Sequence, residues 1–143
     1  CIGMCDIPEP TTGLEGKFSL AHNVAIGLLG QADGALALYE DARMSDAGPA
    51  ALRKRVTVTG TKDQGPFAAQ VVVHQTDGVV IRESHDVETP DRDLARQWTK
   101  LENKFRALAG PILGEARTEE AIRLCRTFDD AESVAPLMAT VAG

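Results

Sequence analysis

Two apolar runs on either side of Thr76-Asp77-Gly78 constrain this chain more than any other feature. Ala69 to His74 and Val79 to Val87 both read as strands, rich in Val and Ile and bounded by turn residues. The loop length follows from the faces. A two-residue Asp-Gly loop places Val73 opposite Arg82 and Val72 opposite Glu83, mixing core with surface. A three-residue loop, Thr76 to Gly78, places Val73 opposite Ile81 and His74 opposite Val80, and Gly78 suits the left-handed residue of the accompanying bulge. A hairpin with that register is antiparallel. Upstream, Val56 and Val58 alternate with Thr57 and Thr59, which predicts a further half-buried strand.

On both sides of these strands the period changes to helical. Ala21, Val24, Ala25, Leu28 and Leu29 lie at i, i+3, i+4, i+7 and i+8, with Ser19 as N-cap and Gly30 as the closing residue. Thr12-Gly13-Leu14-Glu15 matches a capping box and predicts a short helical turn before it. Asp33 is expected to cap a short helix carrying Leu36 and Tyr39. Ser45 or Asp46 is expected to cap another, with Pro49 in its first turn and Leu52 in the core. The longest helix is expected to open at Thr89-Pro90-Asp91 and to stop at Gly110-Pro111. Leu94, Trp98, Leu101, Phe105 and Leu108 form its apolar stripe, expected to be core. Thr118 should start the next helix, placing Cys125 on a buried face beside Leu124 and Phe128. Ser133 should cap a last helix with Val134, Leu137, Met138 and Val141. Helices, a small antiparallel sheet with a hairpin, then helices again define an α+β fold, expected as a single domain over residues 1–143.

Composition removes several function classes. With 43% hydrophobic and 25% charged residues the 143-residue chain is globular. A net charge of −6 argues against nucleic acid. No apolar run approaches the ~20 residues that span a bilayer, so no membrane role is expected. Cys1, Cys5 and Cys125 form no even framework, which points to a reducing, cytoplasmic setting. His22, His74 and His85 lack partners at ligand spacing, so no metal is expected. The first residue is Cys1, not Met; the chain is expected to begin inside a processed product or a fragment. Cys1 as an N-terminal nucleophile lacks an identifiable base.

The candidate site is Glu15-Gly16-Lys17-Phe18-Ser19-Leu20-Ala21-His22, which gathers a cation, a hydroxyl and an imidazole. Lys17 precedes a helix start, where free N–H groups and the dipole favour an anionic oxygen such as a carboxylate. Lys17, Ser19 and His22 are therefore the candidate substrate-binding residues. Ser19 doubles as the cap, and His22 faces either cleft or core.

Pro10-Thr11-Thr12-Gly13-Leu14-Glu15-Gly16-Lys17-Phe18-Ser19 resembles, with one shifted Thr, the P-x-T-G-x-E-[AG]-K-F-S-like opening of the MmgE/PrpD C-terminal domain. Leu101-Glu102-Asn103-Lys104-Phe105, followed by Ala109-Gly110-Pro111, resembles that family's L-x-x-K-F-like element, and the order of features matches along essentially the whole chain. The family includes 2-methylcitrate dehydratase, cis-aconitate decarboxylase and iminodisuccinate epimerase. The resemblance implies the smaller α+β lid of a cofactor-independent lyase or isomerase acting on a di- or tricarboxylate. Its active site would lie in a cleft shared with a helical domain of the same protein, and the full-length protein would be a homodimer. The catalytic residues stay unknown, because the family's catalytic motifs are not found in these residues. A Tyr used by some decarboxylases has Met4 as its nearest counterpart, which argues against decarboxylation. The alternative is a non-catalytic binding or oligomerisation module using the Trp98 helix face. An exposed stripe would favour that alternative.

Overall fold

Residues 5–31 and 34–142 are described in the computed structural model of the chain. Cys1, Met4 and the expected Asp33 cap lie outside them.

Helix α1 (Gly13–Lys17) starts on the expected capping box. Thr12 accepts from the Glu15 amide, and the Glu15 carboxylate accepts from the Thr12 amide. After a break at Phe18 and Ser19, helix α2 (Leu20–Leu28) begins on Ser19 as N-cap. Its end is a Schellman closure: Gln31 N–H donates to Ile26 and Gly30 N–H to Gly27, with Gly30 at a φ of 70°. Leu36–Tyr39 and Asp41–Ser45 are 3-10 turns, and helix α3 (Ala47–Arg53) follows, with Pro49 in its first turn. Ala21, Ala25 and Ile26 of α2, Leu38 and Met44 of the two turns, and Pro10 and Pro49 are buried apolar residues of this half.

The hairpin forms in the expected register. Strand β1 (Ala68–His74) pairs antiparallel with β2 (Val80–Asp86), with Val73 opposite Ile81 and His74 opposite Val80. Gly78 takes a φ of 88°, as the three-residue loop requires. Among the described residues the sheet has only these two strands. Val56–Thr59 keeps the expected alternation, Val56 and Val58 half-buried and Thr57 and Thr59 exposed, but it forms no ladder. It lines a cleft together with β1, with Leu20, Val24, Leu28 and Leu52 also in the wall.

The C-terminal helices depart from expectation at their ends. Helix α4 (Leu94–Leu113) is capped by Asp93, whose carboxylate accepts from the Arg96 amide, not by Thr89. Asp91 reinforces this start by accepting from the Asp93 amide and pairing with Arg96 at 2.8 Å. Pro111 does not stop the helix. It sits within the last turn, and the chain turns only at Gly114, at a φ of 78°. Helix α5 (Glu115–Arg126) therefore starts before Thr118, which is buried and donates its hydroxyl to the Gly114 carbonyl at 2.8 Å. Ser133 accepts from the Ala135 amide at the head of α6 (Ala135–Val141), and Arg117 reaches across to the Thr140 and Ala142 carbonyls.

The stripe on α4 is not closed core. Leu94 is 71% and Leu101 55% exposed, while Trp98, Phe105 and Leu108 are half-buried. One helix, α5, makes the main packing contact with α4, so only part of the stripe is covered. Cys125 is exposed, not buried. The buried charge on α4 is Glu102, which binds Arg126 at 2.5 Å and Arg106 at 3.5 Å.

Candidate functional site

The K-F-S stretch lies where α1 ends and α2 begins. Two clamps fix α1. Glu15 gathers the Thr11 amide at 2.7 Å and the Thr11 hydroxyl at 2.8 Å, and these hydrogen bonds, the amide first, hold its carboxyl below the usual range. From the following 3-10 turn, Asp41 accepts from the Gly13 amide at 2.7 Å.

Lys17, the last residue of α1, is exposed, and its ammonium sits 5.8 Å from the centre of the Tyr39 ring. It forms no ion pair with a carboxylate among the described residues. The Tyr39 hydroxyl donates to Asn23 Oδ1 at 2.6 Å. The Asn23 amide in turn donates to the Gly16 and Ser19 carbonyls, at 3.1 and 2.8 Å, tying the α1–α2 break together. Burial of the Tyr39 phenol raises its pKa.

Ser19 is 0% exposed and accepts from the His22 amide at 3.1 Å. Its hydroxyl serves the cap. A second early donor of α2, Leu20 N–H, goes to the Cys5 carbonyl, and Asp6 bridges Ser19. The arm thus occupies the helix start, and the expected free N–H groups are largely taken. His22 is 1% exposed, on the inner face of α2, with its ring edge-on to Tyr39 at 6.4 Å. Neither ring nitrogen has a partner among the described residues. Burial, and next the charge of Arg53, push its pKa down, so the imidazole is held neutral. Of the three candidate residues, Lys17 reaches outward, Ser19 sets the helix start, and His22 lies behind both.

The stretch presents an exposed ammonium at Lys17 and a buried imidazole at His22. His74 and His85 are exposed on the hairpin strands. No group of three or more His, Cys, Asp or Glu side chains suited to a metal occurs among the described residues. Sequence reasoning missed Tyr39, Asn23 and Asp41 as parts of the site. Tyr39 is the single tyrosine of the chain, but its contact with Asn23 spans sixteen residues and leaves no local pattern.

The arrangement is that of an α+β domain with an exposed lysine at a helix break. The model of the MmgE/PrpD C-terminal domain matches residues 1–130, and the chain belongs to the MmgE/PrpD family as its C-terminal domain. Among curated proteins there is no significant match. No helix among the described residues is long and apolar enough to cross a membrane.

Proposed function

We propose that this domain is the substrate-contacting lid of a cofactor-independent lyase or isomerase acting on a di- or tricarboxylate. Lys17 supplies the cation that meets one carboxylate. The observation that carries this reading is an exposed lysine, without a carboxylate partner among the described residues, set against Tyr39 within the span that the family model matches. Removing a proton beside a carboxylate builds charge on that group, and a fixed cation aimed at it lowers the barrier. Ser19 and His22 support the contact from behind. The acid and base come from a helical domain of the same protein, and the working enzyme is a cytoplasmic homodimer.

The test is to assay 2-methylcitrate dehydration, cis-aconitate decarboxylation and iminodisuccinate epimerisation. This chain alone should be silent, and joining it to the helical domain should give turnover of one polycarboxylate. Turnover by the chain alone would sink the lid reading.

The exposure of Leu94 and Leu101 favours a second reading, an interaction module built on the α4 face. That reading predicts a concentration-dependent dimer of this chain by sedimentation, lost on Leu101→Glu.

A further inference from the structure

The motif that carries Lys17 also carries two glycines whose reason lies elsewhere. A Cβ on Gly13 would fall 1.6 Å from the Tyr39 carbonyl oxygen. A Cβ on Gly16 would stand 2.7 Å from Met44 Sδ and 3.5 Å from Tyr39 Cδ1. Both absences of a side chain admit the 3-10 turn that ends in Tyr39 against α1. From α2, Asn23 takes the Tyr39 hydroxyl at 2.6 Å, and the His22 ring lies edge-on at 6.4 Å and 61°. Elements on either side of the break thus fix one aromatic ring, and the Lys17 ammonium lies over it.

We infer that Tyr39 is a positioning residue, whose ring holds the Lys17 ammonium where the substrate carboxylate docks; this rests on the reading of Lys17 proposed above. A free lysine side chain samples many rotamers and loses that freedom when it binds an anion. A cation within about 6 Å of a tyrosine face is attracted to the ring quadrupole. Holding the ammonium before the substrate arrives removes part of the ordering cost of binding. The ordering cost is met when the substrate binds, so the effect belongs to KM.

The experiment is competitive acetylation of the lysines with acetic anhydride, in the protein that joins this chain to its helical domain, followed peptide by peptide by mass spectrometry. Exposed Lys62 is the internal reference. Acylation needs the amine lifted from the ring, so Lys17 should react about two- to fivefold more slowly than Lys62. Tyr39→Phe, which keeps the ring, should retain the slow rate. Tyr39→Leu should bring Lys17 to the Lys62 rate and raise KM for the polycarboxylate by a similar factor, with kcat unchanged. Wild-type Lys17 reacting as fast as Lys62 overturns the inference without any variant. A fall in kcat at constant KM in Tyr39→Leu overturns it as well. Tricarballylate, an unreactive tricarboxylate, separates the two readings. If Lys17 is slow but tricarballylate gives it no further protection, the carboxylate contact falls while the Tyr39–Lys17 pairing stands.

Discussion

Gly13 and Tyr39 meet backbone to backbone, so closely that a Cβ on Gly13 would overlap the Tyr39 carbonyl oxygen at 1.6 Å. The neighbour is main chain and cannot swing aside. Gly13→Ala should cost about 3 kcal/mol or more, at the upper end for overpacking. Gly16→Ala meets the flexible Met44 side chain and should cost about 1 kcal/mol. Gly27→Ala, inside α2 with nothing within 4 Å, should stabilise by about 0.5–1 kcal/mol. Urea melts of the three variants check the ranking, and equal effects at Gly13 and Gly16 would contradict it.

Lys17→Ala, in the protein carrying both domains, should lower kcat/KM on the carboxylate substrate by about ten- to a hundredfold, the range for losing a charge-assisted contact in a closed cleft. Melting should stay unchanged, because the ammonium is exposed. Lys17→Arg should rescue only in part, since a planar fork does not replace a compact ammonium. Wild-type kinetics for the Ala variant would remove Lys17 from the site.

His22 gives the domain a pH dependence whose sign is fixed. Its folded pKa lies below the ordinary 6.5 because burial, and then Arg53, oppose the charged form. The unfolded chain therefore binds the proton more readily than the folded one, and stability rises with pH in this window. The contribution is complete above about 6.5 and declines as pH falls below it, until the folded pKa is reached. His22→Leu removes two unpartnered buried nitrogens and should abolish that decline, while raising stability near pH 6 by about 1–2 kcal/mol. Urea midpoints at pH 5.5 and 7.5 check it. The same drop in both proteins would rule out His22 as its source.

Trp98→Ala should cost about 1–2 kcal/mol, well under the ~3–5 kcal/mol of a fully buried ring, because Trp98 is only half-covered in a shallow cleft with Cys125, Phe128 and Leu137. A loss above about 3 kcal/mol, measured by urea melts, would mean that a second copy covers the ring in solution.

The register of the hairpin was legible to the residue, because a period of two and a Gly at a defined loop position leave one register that keeps Val73 with Ile81, while the strand ends fell one residue away. Ser19 and the Thr12–Glu15 box were legible because capping is local chemistry. The start of α4 was not. Thr89-Pro90 and Asp93 both carry cap signals, and the hydrogen bonds of Asp91 and Asp93 to the chain just ahead favour the later one. Pro111 misled in the opposite direction: near the end of a helix its missing N–H removes one bond and does not end the helix. At Val56–Thr59 the alternation reflects a half-covered segment, and alternation alone says nothing about a partner strand. The candidate site was visible at Lys17 and Ser19 and invisible at Tyr39, since long-range packing decides which ring comes to lie beneath an ammonium.

The β1–β2 hairpin makes its extensive contacts only with itself, and Val71, Val72, Val80 and Ile81 remain open to solvent. A lone two-stranded ribbon is marginal in water. Residues 68–86 should therefore open more readily than the N-terminal helices, and their amide protons should exchange before those of α2. A surface that covered the valines would do more than dock: it would complete the ribbon, and part of its affinity would go into ordering the strands. Occupancy of that face would then be readable at the hairpin amides as slowed exchange, with no change in the shape of the helices.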